Sequence, residues 1–188
     1  MEPKNIFFWQ AKKNFLSIFS QIAHGYLLIF LNYAIWLLLF FVSYLLVKNN
    51  PNAFWQLLTA TLIAEIIERV SKKYISLPRP MFKKNQDIPK GLVSNWYNTG
   101  SFPSGHTSKT VFFLLFLIQY HVSNISFFLL ISLPLIFFRV LVGFHYPLDI
   151  LGGILIGFAV WALTKNIILP DSVNLLAKTV FDAVFFIK

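Results

Sequence analysis

The chain has 188 residues, of which 57% are hydrophobic and 12% charged, and its formal net charge is +9. Because about a quarter of a soluble globular domain is charged, this composition excludes an ordinary soluble globule and favours a single membrane-embedded domain. The chain has no cysteine, which excludes disulfides, zinc–thiolate sites and a cysteine nucleophile, and its basic balance suits anionic lipid or phosphate more simply than nucleic acid.

Hydrophobic periodicity and the length of the apolar runs predict an all-α transmembrane bundle. In residues 1–24, apolar positions such as Phe15 and Ile18 recur at helical spacing opposite Lys12 and Lys13, which predicts an interfacial amphipathic helix. A second amphipathic helix is predicted over 171–188. The membrane core, 26–169, is expected to hold five spanning helices, at 26–47, 53–70, 107–122, 125–143 and 148–169. The whole chain, 1–188, is interpreted as one domain.

One Arg, one His and one Asp stand at the break between the last two predicted spans, as Arg139, His145 and Asp149. Ionisable groups beside lipid-facing sequence are costly, so they usually pair or mark function. Asp149 can accept a hydrogen bond from one ring nitrogen of His145, which leaves the other nitrogen as a base or nucleophile. Arg139 offers a planar fork of donors for a phosphate or carboxylate. The alternative is an Arg–Asp pair that closes the helix connection, with His145 uninvolved.

Two further polar clusters lie between the second and third predicted spans. In the first, Pro78 and Pro80 hold the backbone around Arg79 extended and give its side chain a defined direction. Lys72 lies near the end of the preceding helix. Because Glu68 stands four residues before Lys72, a plain surface ion pair is the alternative.

The second cluster is Pro103-Ser104-Gly105-His106, directly before an apolar run. Ser104 and the backbone N–H of Gly105, at the start of a helix, form a natural cradle for phosphate oxygens. His106 in that cradle can donate a proton to a leaving oxygen. The alternative is an ordinary helix N-cap followed by a solvated histidine.

Together the clusters supply the parts that phosphoryl transfer needs, which are cations, a nucleophile and an acid for the leaving group. Metal-dependent hydrolysis needs several clustered carboxylates, and only Asp149 is well placed. In these motifs the chain resembles the phosphatidic acid phosphatase type 2 and vanadium haloperoxidase superfamily. The matching residues are Lys72 to Pro80, Pro103 to His106 and Arg139 to Asp149, in the order and spacing of that family. Phe138 stands where the family usually has Ser. This difference leaves the nucleophile and the phosphate ligands intact but removes the Ser hydroxyl as a polar contact beside them.

The resemblance implies a role for each matching residue. His145 would attack phosphorus and form a phosphohistidine, with Asp149 orienting it. His106 would protonate the departing oxygen and later help to activate water. No metal or cofactor is expected. The implied phosphate ligands are Lys72, Arg79, Ser104, Gly105 and Arg139.

Two glutamates, Glu65 and Glu68, match no motif position of the family. They either tune Lys72 or simply pair with Arg69 and Lys72, and the spacing favours the pairing.

The resemblance implies an integral membrane lipid phosphatase that acts on a lipid phosphate or pyrophosphate among membrane lipids. In size and layout the chain is similar to the bacterial undecaprenyl pyrophosphate phosphatases, although some of that branch carry Asp at the position of Gly105. Phosphatidic acid, phosphatidylglycerol phosphate and lipid A phosphates are alternative substrates. A non-catalytic protein that binds anionic lipid is a more distant alternative, and the oligomeric state stays open.

The expected location is the bacterial inner membrane, with the site facing outward as in the family. Such an orientation opposes the positive-inside tendency, because the basic residues of the long polar segment would then lie outside.

Overall fold

The computed structural model describes residues 6–10, 22–80, 99–122 and 125–185. Within them the chain forms six α-helices and no strand, preceded by a 3-10 turn at Ile6–Phe8. The predicted all-α bundle is confirmed. Most of the amphipathic helix predicted over 1–24 lies outside the described residues. The helices are α1 (Ile22–Asn49), α2 (Asn52–Tyr74), α3 (Gly105–Tyr120), α4 (Ile125–Leu141), α5 (Pro147–Thr164) and α6 (Asp171–Val184).

Two of the helices in the described ranges are long and apolar enough to cross a membrane, Ile29–Asn49 within α1 and Pro147–Thr164. The apolar helix α4 has 17 residues, which span about 26 Å at the α-helical rise, against about 30 Å of bilayer hydrocarbon. The molecule is an α-helical membrane bundle. The count of five spans remains a prediction.

The helix starts and stops follow local chemistry. Ser104 caps α3 by accepting a hydrogen bond from the backbone N–H of Thr107, as an N-cap should. Pro147 occupies the first turn of α5, where its fixed φ suits a helix start and its missing N–H costs no hydrogen bond. The predicted fifth helix was too long, since α5 ends at Thr164 rather than at residue 169. Beyond Thr164 the side chain of Asn52 bonds the carbonyl oxygen of residue 167 at 2.7 Å and the N–H of residue 169 at 3.0 Å, which holds that backbone in an irregular form.

The hydrophobic core lies between α1, α2, α3 and α5, and Leu46, Ala60, Phe112 and Val160 are fully buried in it. The helix predicted from residue 171 is present as α6. Its Phe181 stacks on Tyr44 of α1, with ring centroids 5.5 Å apart. Its outer side exposes Leu175, Leu176, Val180 and Val184, which suits a helix that lies on a membrane surface.

Helices α3 and α5 cross at close range because α5 carries glycines at the crossing. A Cβ on Gly153 would lie 2.7 Å from the carbonyl oxygen of Ser104, and one on Gly157 would lie 2.5 Å from that of Ser108. The N–H of Ser104 also donates to the carbonyl oxygen of Asp149 at 3.0 Å. This packing fixes the start of α5 against the start of α3, and so brings two of the three sequence clusters together.

Candidate active site

The connection between α4 and α5 holds His145 in a buried position. Its Nδ1 lies 3.0 Å from the carbonyl oxygen of Ser101 and 3.3 Å from Oδ2 of Asp149. A carbonyl oxygen can only accept, so these partners assign the proton to Nδ1 and leave Nε2 with a free lone pair. The predicted Asp149 contact is present. The Ser101 carbonyl is a second partner, which no sequence motif indicated.

The charge state of His145 follows from its surroundings. Burial lowers its pKa well below the ordinary value, and the positive charges of Arg79 and Arg139 lower it further. The imidazole is therefore neutral at neutral pH. Neutral imidazole is the form that can attack an electrophile.

The carboxylate of Asp149 serves two elements at once. Its Oδ2 accepts the backbone N–H of Tyr146 at 2.8 Å, which satisfies one of the open donors at the start of α5. The same oxygen contacts His145. The start of α5 therefore fixes both the carboxylate and the imidazole.

Arg79 lies buried in the irregular segment after α2. Its Nε donates to the carbonyl oxygen of Thr99 at 3.2 Å, and its Nη2 donates to the Thr99 hydroxyl at 3.0 Å. Its Nη1 donates to the carbonyl oxygen of Phe144 at 2.9 Å. The guanidinium thus joins the segment before α3 to the residue just before His145, and three of its nitrogens have fixed directions.

Arg139 lies buried in the last turn of α4. Its Nη1 donates to the side-chain oxygen of Asn32 at 2.7 Å. Its guanidinium carbon lies 5.3 Å from the centroid of the Phe144 ring, within cation–π range. Asn32 belongs to α1, and no sequence motif pointed to it.

The last three turns of α2 carry an ion-pair network. Lys72 pairs with Glu68, and Arg69 pairs with Glu65 at 3.0 Å, so both predicted pairings are confirmed. Lys109 of α3 joins the network with its Nζ 3.1 Å from each glutamate. The sequence analysis missed Lys109. Burying an unpaired charge inside an apolar helix costs free energy, so a lysine there must have partners. The position of Lys109 within an apolar run was therefore the sequence signal for this network.

The carboxylate of Glu68 lies beside Gly105, at the start of α3 where a phosphate cradle was predicted. A Cβ added to Gly105 would meet the carboxylate of Glu68, so a larger residue at position 105 would require the Glu68 side chain to move. The hydroxyl of Ser104 contacts both the N–H and the hydroxyl of Thr107, at 3.4 and 2.9 Å. The N-cap interpretation of Ser104 is therefore confirmed, while its contact with a phosphate remains a prediction.

The imidazole of His106 has one nitrogen that is not hydrogen-bonded to any described residue. Its Nε2 is buried, and no hydrogen-bond partner for it exists in the part of the chain that the structure describes. Burial, and then the charges of Arg139 and Lys109, lower the His106 pKa well below its ordinary value. A bound anion would offset those charges and favour the protonated ring, which is the form that can protonate a leaving oxygen.

The structure brings the predicted residues into one site. The positive charges of Lys72, Arg79 and Arg139 each lower the pKa of both His106 and His145, and His106 lowers the pKa of His145. Three predicted cations and two histidines therefore lie near one another, at the ends of α2 and α4 and the starts of α3 and α5.

A family model described as the PAP2 superfamily matches residues 53–171. The matched range includes every residue of the three sequence clusters and leaves out α1 and nearly all of α6. No curated protein and no solved structure gives a significant match to the chain.

Proposed function

Because the chain belongs to the PAP2 superfamily, we propose that it is an integral membrane lipid phosphatase that works through a phosphohistidine at His145. The family gives the chain a phosphatase-type function and a phosphate-bearing lipid substrate. The observation that carries the finer proposal is the pair of acceptors on Nδ1 of His145, from Ser101 and Asp149. They leave Nε2 as the reacting atom and can stabilise the positive ring that forms when it attacks.

In the first proposed step, Nε2 of His145 attacks phosphorus while the bond from phosphorus to the leaving oxygen breaks. His106 gives its proton to that oxygen. In the second step, water attacks phosphorus, His106 takes a proton from the water, and the phosphorus–nitrogen bond breaks. Proton transfer of this kind contributes roughly a hundred- to ten-thousandfold to the rate. The phosphate oxygens would be held by Lys72, Arg79, Ser104, Gly105 and Arg139.

A non-catalytic lipid-binding protein explains the site less well. Basic residues such as Lys72 suffice to attract an anionic lipid. Such binding does not require a buried His145 with a fixed tautomer, or a second histidine, His106, with an unpartnered buried nitrogen. Both features serve proton and phosphoryl transfer.

We propose undecaprenyl pyrophosphate as the preferred substrate, converted to undecaprenyl phosphate, with the whole chain, 1–188, acting as one domain. The proposal rests on the small size of the chain and on its similarity in layout to that bacterial branch. Gly105 departs from the members of that branch that carry Asp there. In this chain, the carboxylate of Glu68 occupies the space that a side chain at position 105 would take. The proposed setting is the bacterial inner membrane with the site facing outward.

The substrate proposal predicts a clear order of turnover. Undecaprenyl pyrophosphate should exceed phosphatidic acid in kcat/KM, and a water-soluble pyrophosphate should be hydrolysed far more slowly, because binding of the remote tail contributes to catalysis. Phosphate release by the purified protein, measured across polyprenyl, glycerolipid and lipid A phosphates in one detergent, gives this order. A preference for phosphatidylglycerol phosphate or lipid A would refute the substrate and leave the chemistry standing.

A second prediction concerns metal ions. Across the described ranges no three His, Asp or Glu side chains are grouped closely enough to hold a metal ion, and the proposed mechanism uses none. Activity should therefore survive EDTA, since Arg and Lys side chains supply the positive charge. Phosphate release is compared with and without EDTA, and again after each divalent ion is restored. A strict requirement for an added divalent ion would contradict the mechanism.

A further inference from the structure

Helix α1 lies before the residues that match the family model, yet two of its side chains reach the proposed site. Asn32 contacts Arg139, as described above. Trp36, one turn later, packs edge-on against the His106 ring with centroids 5.5 Å apart, and its own ring lies 5.3 Å from Nζ of Lys109. One face of α1 therefore forms a wall of the site.

The bond between Asn32 and Arg139 is made where polar groups are costly. Both side chains are only 8% exposed, and Asn32 belongs to the stretch of α1 that is apolar enough to cross a membrane. An amide buried there costs free energy unless it is hydrogen-bonded. A charge-assisted bond of 2.7 Å, in surroundings of low dielectric constant, is correspondingly strong.

We propose that Asn32 is a positioning residue for catalysis, which holds Nη1 of Arg139 so that the guanidinium meets the substrate phosphate in a fixed orientation. The inference rests on the proposed function, because it assumes that Arg139 binds phosphate. The Phe144 ring supports the guanidinium from a second direction, 5.3 Å from its carbon. Asn32 and Phe144 together fix the plane of the Arg139 guanidinium. The orientation that a bidentate contact with phosphate requires is therefore present before the substrate binds.

The chemistry of the amide suits this role. An amide oxygen accepts a hydrogen bond without adding a negative charge beside Arg139, so this bond does not weaken the attraction of Arg139 for a phosphate. A carboxylate at position 32 would compete with the phosphate for the same cation. An aliphatic side chain there would leave Nη1 without this acceptor and the guanidinium less restricted.

A double-mutant cycle tests the inference. Vanadate serves as a second measure, because it mimics the five-coordinate phosphorus of the transition state. Asn32→Ala should lower kcat/KM by about tenfold to a hundredfold and weaken inhibition by vanadate, since a charged donor loses a buried partner. In an Arg139→Lys background the same change should cost less than about twofold, because the oriented guanidinium is already gone. Equal losses in both backgrounds would overturn the positioning role.

Asn52 supplies the matched control. It is also a buried, hydrogen-bonded asparagine, 9% exposed, but its amide bonds the backbone of residues 167 and 169 rather than a site residue. Asn52→Ala should lower the Tm and change kcat/KM by the same small factor in both backgrounds. If Asn52→Ala reproduced the non-additivity of Asn32→Ala, the coupling would be a general loss of packing and the inference would fail.

Asn32→Asp provides a second route if Asn32→Ala does not yield folded protein. It keeps the size and the acceptor and adds a negative charge that competes for Arg139, so we expect a raised KM and weaker vanadate inhibition. Wild-type KM and vanadate inhibition in this variant would overturn the inference.

Wild-type activity of Arg139→Lys would overturn both the inference and the proposed role of Arg139 as a phosphate ligand. If Arg139→Lys is defective but the effects of Asn32→Ala and Arg139→Lys on kcat/KM are additive, only the inference about Asn32 is overturned.

Discussion

Phosphate release is expected to be lost in His145→Ala, with kcat lowered by about a thousandfold or more, because the proposed nucleophile is gone. His106→Ala should lose about a hundred- to ten-thousandfold on a lipid phosphate, since its poor leaving group needs a proton. The loss should be smaller for an aryl phosphate, whose leaving oxygen needs less help. Both variants are assayed for phosphate release from lipid and aryl substrates.

His121 offers a control for the two histidine variants. It lies at the end of α3, is exposed, and stands one residue past the helix, away from the site. His121→Ala should keep wild-type kcat/KM on both substrates. Substantial turnover by His145→Ala, or an equal loss on both substrates in His106→Ala, would contradict the assigned roles.

Arg79→Lys should lower kcat/KM by about a hundredfold. Arg79 directs three nitrogens to Thr99 and Phe144. One ammonium cannot replace a planar fork that braces these two segments and that we propose also binds phosphate. Each charged hydrogen bond lost accounts for about tenfold or more. Activity and Tm are measured together, because part of the loss is expected as lower stability.

Lys73→Ala is the matched control for the cations, since Lys73 is exposed and lies beside Lys72 at the end of α2. It should leave kcat/KM almost unchanged, whereas Lys72→Ala should lower it. If Lys73 proved essential and Lys72 dispensable, the assignment of the motif to the end of α2 would be wrong.

Local sequence signals predicted the local structure well. The position of Ser104 located the start of α3, because capping acts within one turn of a helix. The four-residue spacing of His145 and Asp149 placed their side chains in contact. The end of α5 was missed, since the contacts that hold residues 167–169 come from Asn52, far away in the chain.

The parts of the site that were not predicted depend on packing between distant elements. The contact from Ser101 to His145 uses a backbone carbonyl, which every residue type has, so the sequence does not indicate it. Asn32 reaches Arg139 across 107 positions of sequence, and only the docking of α1 against α4 joins them. Polar residues inside apolar helices, such as Asn32 and Lys109, are nevertheless a usable signal, because burial obliges them to find partners.

The most direct test of the central claim is to trap the covalent intermediate. The protein is mixed with a substrate that carries ³²P on the phosphate to be removed, quenched in alkali after milliseconds, and digested for peptide mapping. Label should appear as acid-labile phosphohistidine on the peptide that contains His145, it should be absent from His145→Ala, and vanadate should prevent it. Phosphate release at the normal rate without any labelled intermediate, or with the label on another residue, would contradict the account.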